Sequence, residues 1–407
     1  MRKPFLLLHR YVGLALAAFL VIIGLTGSII IFFEDLDEWA NPDLRLVTPS
    51  GHHKDFLELR EKFQKDEPQA HFYAIRFPEH VNDAMYFYTE PAIDPVTGEE
   101  LSIDHDQVYA NPYTGERLGQ RMWGDFSLER KDWFTFLYFL HYSLVLPETF
   151  GEIFMGIVAL VWAFDCFVGL YLTFPSSTNI GASFWQRWKQ AWKVKTTAGS
   201  NRLVYDWHRA SGLWIWPVLL LFAWSGFSFN MPRVYTAVMS QITNIENNDA
   251  LPKLDTFMTN PAIDWRQALA LGEKYMAEQA KEQGFTINRP SMLLYRRETG
   301  IYDYRVNSSR DVRTRQDYGY TSVAIDAMTG ELRQVQVPTG QLAGNTFTTW
   351  IKSLHTAAIF GWPLKIFNCI VGLLVVALTI TGVWLWLRKR VHRIAKQAAV
   401  ETQPNAA

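Results

Sequence analysis

Four long apolar runs constrain this chain more than any other feature of its sequence. A helix needs about 20 mostly apolar residues to cross about 30 Å of hydrocarbon. Four runs reach that length: Tyr11–Phe33, Ile153–Phe174, Ala210–Met231 and Ile366–Leu387. We therefore expect four transmembrane helices. The first run is expected to be retained in the mature protein, because no small-residue cleavage site follows it.

Lysine and arginine are placed unevenly between these runs. Basic residues cluster before the first run, in the loop 175–209 and at the start of the tail, whereas the stretch after the first run begins with acidic residues 34–38. The positive-inside rule assigns basic flanks to the cytoplasm. We therefore expect both termini inside and the large polar segments 34–152 and 232–365 outside.

The chain repeats itself at about half its length. Four short motifs recur in the same order: H-R-x-x-G-L at 9–14 and 208–213, Thr/Ser-Gly at 26–27 and 225–226, Leu-His at 140–141 and 354–355, and N/D-x-x-T-G-E at 111–116 and 326–331. Each Leu-His also precedes a run that contains a glycine-aromatic stretch, at Gly169 and Gly382. The pattern indicates an internal duplication.

The polar segments read as two small α+β modules. Helices are expected at 55–65 and 264–281. Strands are expected at 71–77, 84–89, 107–110, 291–296, 301–307 and 321–326. Each module closes with a Thr-Gly pair suited to a hairpin turn with positive φ. Only Cys166 and Cys369 occur, both inside apolar runs, which excludes a disulfide framework, a cysteine-rich metal site and a C-x-x-C-H haem attachment motif.

The H-R-x-x-G-L helix start, the T-G-E turn and the Leu-His before an even-numbered span resemble the PepSY-associated transmembrane family over nearly the whole chain. The resemblance implies an all-α four-helix membrane core with two periplasmic PepSY-like α+β modules, in the inner membrane of a bacterium. The expected order is tail and first span 1–33, module 34–152, span 153–174, cytoplasmic basic loop 175–209, span 210–231, module 232–365, span 366–387 and cytoplasmic tail 388–407.

Four histidines recur in symmetric pairs. His9 and His208 belong to the cytoplasmic face, and His141 and His355 to the outer face. Two imidazoles that face each other across a bundle are what a bis-histidyl b-type haem requires, so we expect two non-covalent haems, one near each face. The alternative for any single histidine is an ordinary interfacial residue at a helix end.

Other candidate haem contacts flank His9 and His208, which we call the inner pair. Gly13 and Gly212 lie one turn beyond His9 and His208, where the missing Cβ would let a porphyrin approach the backbone. Close helix packing is the alternative explanation of both glycines. Arg10 and Arg209 suit haem propionates or are ordinary positive-inside arginines.

Asp165 is an acid well inside a span, a position that is costly and often functional. It is expected to tune a haem, relay a proton or bond a neighbouring hydroxyl. The other histidines, among them His105, are expected at the surface. Seven arginines between 289 and 315 either attract an anionic chelate or form a solvated face.

Better-understood members of the family resemble this chain and act as haem-containing ferric-siderophore reductases. The resemblance therefore implies transfer of electrons to a ferric siderophore or other ferric chelate, with Fe(II) released. No G-x-G-x-x-G fingerprint follows a strand, so the donor is external: a quinol, a reduced flavin or a partner reductase. No partner other than these and the bilayer is expected, and no nucleic acid. The alternatives are a membrane-anchored PepSY binding or regulatory module and a solute transporter. Transport is disfavoured because the spans are few and none is visibly broken by paired glycine and proline at mid-depth.

Overall fold

The computed structural model describes residues 2–127, 129–175, 183–197, 199–246, 251–312 and 320–401. The helices are α1 (Arg2–Ile30), α2 (Phe33–Ala40), α3 (Pro42–Arg45), α4 (Phe56–Asp66), α5 (Trp133–Ser143), α6 (Glu148–Thr173), α7 (Phe184–Trp188), α8 (Ser200–Trp214), α9 (Trp216–Asn230), α10 (Pro232–Met239), α11 (Trp265–Gln283), α12 (Ala343–His355) and α13 (Gly361–Glu401). The strands are β1 (Ala70–Arg76), β2 (Met85–Pro91), β3 (Gln107–Ala110), β4 (Arg117–Arg121), β5 (Ile287–Arg296), β6 (Ile301–Ser308), β7 (Thr321–Asp326) and β8 (Leu332–Gln336).

The chain divides into two compact units. The helical unit comprises Met1–Ile31, Leu140–Pro232 and Trp362–Ala407, and the sheet unit comprises Phe32–Phe139 and Arg233–Gly361. The predicted apolar runs lie mainly in the first unit and the predicted α+β segments in the second.

Within the described residues of the helical unit, α1, α6 and α13 are each long and apolar enough to cross a membrane. The third predicted span differs from the expectation of one continuous helix. It is the pair α8 and α9, which meets the same test only as a pair and bends by 65°. The structure therefore has three candidate spans, or four if the bent pair is one span.

Proline explains the break. Pro217 lies at the start of α9, where its missing N–H cannot bond the carbonyl of Leu213 and its ring prevents α8 from continuing. The break lies near the beginning of the predicted span Ala210–Met231, so the expectation that no span is broken at mid-depth stays a prediction. The indole of Trp216 donates to the Cys166 carbonyl at 2.8 Å, which fastens the break to α6.

One apolar cluster draws side chains from α1, α6, α9 and α13, among them Leu20, Val158, Leu219 and Val375. Small residues let α1 and α13 approach closely: the Ser28 hydroxyl donates to the Gly24 carbonyl of α1 at 2.7 Å and is shared with the Cys369 carbonyl of α13 at 3.1 Å. Both features are expected in a membrane, where helices associate through van der Waals packing and interhelical hydrogen bonds.

The sheet unit holds one antiparallel sheet of eight described strands in the order β4-β3-β2-β1-β5-β6-β7-β8. The six predicted strands are present, with β4 and β8 in addition. Within each module the strands follow a helix and run as a meander, and the two modules join where β1 pairs with β5, from Ala74↔Leu294 to Arg76↔Met292. The two expected α+β segments therefore contribute to a single sheet within one unit, and their division into two modules stays a prediction.

Local chemistry accounts for the predicted turns and helix ends. Gly115 and Gly330, the glycines of the two T-G-E turns, have φ of 73° and 75°, which glycine adopts at low cost. Asp264 and Gln267 form a reciprocal capping box at the start of α11, and Gly284 ends that helix with φ of 67°.

The core of the sheet unit lies between the sheet and the helices α4 and α11. Phe63, Phe72, Phe87, Met276 and Leu293 are among its buried members, and burying a side chain of this size contributes roughly 1.5–3 kcal/mol.

Candidate functional site

His9 is held by the acid that lies inside the second apolar run. Its Nδ1 lies 3.0 Å and 2.9 Å from the two carboxylate oxygens of Asp165. The aspartate side chain is only 9 % exposed, so its charge requires a partner there. A carboxylate accepts and does not donate, so a neutral His9 carries its proton on Nδ1 and keeps a lone pair on Nε2.

His208 is oriented in the same way by the last helix. Its Nδ1 lies 3.1 Å from the backbone carbonyl of Leu378 and 3.0 Å from the hydroxyl of Thr381. The carbonyl only accepts, and the threonine donates its own proton to the Ala377 carbonyl at 2.8 Å. Nδ1–H of His208 is therefore the donor, and Nε2 again keeps its lone pair.

Both rings rest on glycine. A Cβ added to Gly169 would lie 3.4 Å from Cε1 of His9, and one added to Gly382 would lie 3.2 Å from Cε1 of His208. The two glycines are the repeat-equivalent residues of α6 and α13. Each inner histidine therefore lies against bare backbone of the facing helix, at matching positions in the two halves.

The two inner histidines come close to each other. Their ring centres are 6.3 Å apart and their planes are inclined by 56°. Metal–histidine bonds of about 2.0 Å, the length known for zinc, on both sides of one iron atom would place two imidazole centres about 6 Å apart. The spacing of the ring centres therefore fits a metal shared by the two imidazoles.

Space for a flat group exists beside Gly13. A Cβ added there meets nothing within 4 Å, and one added to Gly212 meets only Cδ2 of Leu378 at 3.6 Å. Close helix packing against the described residues therefore does not explain Gly13.

The two arginines next to the inner histidines differ. Arg209 donates to the carbonyls of Gln190, Ala191 and Lys193 and pairs with Asp206 at 3.0 Å. These contacts anchor the basic loop and occupy the guanidinium, so a propionate role for Arg209 has no support. Arg10 is half-buried and makes no hydrogen bond or ion pair with any residue that the structure describes.

His141 lies in the last turn of α5 and contacts α1. Its Nδ1 is 3.0 Å from the hydroxyl of Thr26, and that hydroxyl donates to the Ile22 carbonyl at 2.7 Å. Thr26 is therefore the acceptor in this hydrogen bond, and Nδ1–H of His141 is the donor. The ring lies on Gly27, where an added Cβ would be 2.9 Å from Cε1.

A strained turn follows the helix that carries each outer histidine. Leu144 and Val145 after α5 have φ of 57° and 59°, and Ala357 after α12 has φ of 48°. Such backbone is costly for residues other than glycine and concentrates at functional sites. His355 is the last residue of α12 and belongs to the sheet unit, so its pairing with His141 stays a prediction.

Two surface predictions need correction. His105 is 2 % exposed, because it is enclosed by Asp104 at 2.8 Å and Glu67 at 3.2 Å. Five of the seven arginines between 289 and 315 are described, and these five pair within the protein, which gives no support to anion capture by them: Arg289 with Glu79, Arg296 and Arg305 with Asp303, Arg297 with Glu90 and Glu100, and Arg310 with the Gln283 carbonyl. Arg313 and Arg315 lie outside the described residues.

The sequence identified the histidines but not the groups that orient them. In the sequence, Thr26, Gly169 and Gly382 are only markers of the repeat, and the hydrogen-bond partner expected for Asp165 is a hydroxyl and not His9. The signal available for the glycines was their constant spacing from the histidines in both halves. In the residues that the structure describes, no group of three or more His, Cys, Asp or Glu could hold a metal ion, so the candidate sites are histidine pairs.

Comparison with protein families gives one match over almost the whole chain. A family model described as PepSY-associated TM region matches residues 6–389. A search of curated proteins found no match.

Proposed function

The chain belongs to the PepSY-associated transmembrane family, and from that premise we propose that it is a haem-dependent ferric-siderophore reductase of the bacterial inner membrane. Two b-type haems would link an electron donor to a ferric chelate outside, where Fe(II) is released for uptake. The observation that carries the proposal is the His9–His208 pair, with ring centres 6.3 Å apart.

The residues around that pair fit a haem. Asp165 and the Leu378 carbonyl hold the Nδ1 protons, so both Nε2 lone pairs are available as ligands. Orienting a ligand through its second nitrogen is the usual arrangement at metal sites. Gly13 leaves its side of α1 open for the porphyrin, and Arg10 is the candidate partner of a propionate. A bound haem would supply reversible one-electron chemistry between Fe(II) and Fe(III).

An outer haem is the second half of the proposal, ligated by His141 and His355. The hydrogen bond from Nδ1 of His141 to Thr26 orients this ring, as the Nδ1 hydrogen bonds of His9 and His208 orient theirs. With one haem near each face, about 30 Å of apolar thickness is divided into shorter electron-transfer distances.

We further propose that the two halves arose by duplication and that the bent pair α8–α9 is the fourth span. The shared order of one helix and four strands in the modules supports the first point. Orientation with both termini inside is supported at the end of the last span, where Arg388 lies 5.1 Å from the Trp384 ring and Arg390 5.4 Å from the Trp386 ring. Interfacial tryptophan beside basic residues is typical of a cytoplasmic boundary.

Reduction explains how iron would leave the chelate. Siderophores hold Fe(III) through hard oxygen donors, which bind Fe(II) much less tightly because of its lower charge. A quinol or reduced flavin would give up two electrons and two protons, and the two electrons would reduce two ferric chelates in succession.

Haem content of single variants tests the ligand assignment. We expect two haems per chain in the wild type and one in each of His9→Ala, His208→Ala, His141→Ala and His355→Ala, measured as pyridine haemochrome per purified protein. His392→Ala, at an exposed position of α13, is the control and should retain both haems. Unchanged haem content in all four variants would reject the assignment.

The acceptor is tested on anaerobically reduced protein. We expect ferric siderophores to reoxidise the haem spectrum while a chelator traps Fe(II), and this reoxidation to be lost in His355→Ala. Haem that stays reduced with every ferric chelate tried would contradict the reductase function. A wild-type protein without haem would instead favour the membrane-anchored PepSY binding or regulatory module.

A further inference from the structure

The described orienting groups differ in charge from one histidine to the next. His9 donates to the carboxylate of Asp165, His208 donates to a backbone carbonyl and a hydroxyl, and His141 donates to the hydroxyl of Thr26. Of these hydrogen bonds, the one from His9 is the one whose acceptor is an anion.

Orientation alone does not require that charge. Leu378 is the repeat-equivalent of Asp165, and there a neutral carbonyl fixes the same nitrogen at 3.1 Å. The ring of His208 also rests on glycine as that of His9 does. The carboxylate therefore adds negative charge to an arrangement whose geometry the other half achieves without it.

A buried carboxylate bonded to a ligand imidazole makes that ligand more basic and stabilises the higher oxidation state of the metal. Net charge and hydrogen bonding to ligands are among the main determinants of a haem or cluster potential. Asp165 is 9 % exposed, so water screens its charge weakly.

We infer that Asp165 is a positioning residue that sets the midpoint potential of the His9–His208 site below that of the His141 site. This inference rests on the proposed function. With the lower potential on the cytoplasmic side, transfer of one electron outward would be downhill: iron bound at the inner site would be oxidised to Fe(III) and iron bound at the outer site would be reduced to Fe(II). The charge of Asp165 would therefore favour electron transfer from the inner site to the outer site.

The test is an anaerobic spectroelectrochemical titration of the purified protein with both haems bound. Wild type should show two one-electron waves. Asp165→Asn retains a side chain of the same shape without the charge and should raise only the lower potential. Asp165→Leu copies the residue of the other half and should raise it as well. Thr26→Val, which removes a neutral acceptor at the outer site, should leave the lower potential unchanged.

A second measurement needs no change at Asp165. His141→Ala should retain the inner haem alone, and its potential should equal the lower wild-type value. The inference is overturned if this variant shows the higher value, or if Asp165→Asn binds two haems with wild-type potentials. Wild-type protein without any haem absorption would instead reject the proposed function, so the two failures are distinguishable.

Discussion

Replacing Gly27 by alanine tests whether His141 needs the bare backbone of α1. The new Cβ would lie 2.9 Å from Cε1 of His141, whereas ordinary contact begins at 3.4 Å, so the ring must move by about 0.5 Å. A movement of that size away from α1 would stretch the 3.0 Å hydrogen bond to Thr26 to about 3.5 Å, where hydrogen bonds are weak.

The size of the effect on haem affinity follows from weakening the hydrogen bond between His141 and Thr26. A lost intramolecular hydrogen bond costs about 0.5–1.5 kcal/mol, and removing the group that orients a metal ligand typically lowers metal affinity about 10–100-fold. We expect Gly27→Ala to weaken haem binding at the outer site by about that factor and to leave the inner site unaffected. The fold itself should persist, because alanine is favoured over glycine inside a helix by about 1 kcal/mol.

Gly226→Ala is the matched control, since Gly226 is the repeat-equivalent of Gly27. Its added Cβ would meet only the Cβ of Ala159, at an ordinary 3.4 Å. Haem content and dissociation to apomyoglobin are the measurements. Wild-type outer haem affinity in Gly27→Ala would refute the reasoning, and equal losses in both variants would show that the effect reports general helix packing.

Three further predictions concern the inner site, the sheet unit and topology. Gly13→Ala should lower the haem occupancy of the inner site, and unchanged haem content would contradict a porphyrin beside Gly13. The free energy of unfolding of the haem-free protein should stay equal or rise by up to about 1 kcal/mol, because the added Cβ meets nothing within 4 Å. Burial raises the pKa of Asp106 from 3.8 to about 6, so the folded state binds this proton more tightly than the unfolded chain and stability falls as pH rises between these values. Asp106→Asn should therefore stabilise at pH 7.5 by up to roughly 3 kcal/mol and give no gain at pH 3, as measured by thermal unfolding. Cysteine at the exposed Ser102, with Cys166 and Cys369 replaced by alanine, should react with a membrane-impermeant maleimide in cells whose outer membrane alone is permeabilised; labelling only after the inner membrane is opened would reverse the topology.

Periodicity and turn chemistry predicted the sheet unit well because both are local. The six expected strands and both T-G-E turns are present, with Gly115 and Gly330 at positive φ. The pairing of β1 with β5 was beyond such reasoning, since alternation identifies a strand and its buried face but not which distant strand lies beside it. The edge strands β4 and β8 were missed because both carry mostly polar residues.

The sequence predicted which histidines form the inner site but not which groups they contact. The repeat singled out His9 and His208, and symmetry suggested that they meet. Their orienting groups are different kinds of atom in the two halves, a carboxylate in one and a backbone carbonyl in the other. A comparison of side chains cannot detect that equivalence, because Asp165 and Leu378 have no chemistry in common.

The bend at Pro217 is a second difference between the halves that a comparison of their side chains does not reveal. In the first half, His9 and Thr26 lie on one uninterrupted helix, α1. In the second half, His208 lies on α8 and the equivalent Ser225 on α9, beyond a 65° bend. The two inner histidines are therefore not positioned by helices of the same shape in the two halves. What the halves share is local: an acceptor for Nδ1 and, four residues further along the same facing helix, a glycine beneath the ring. Since each facing helix carries both groups, the pair can form despite the bend, and selection on the repeat would act on those two positions.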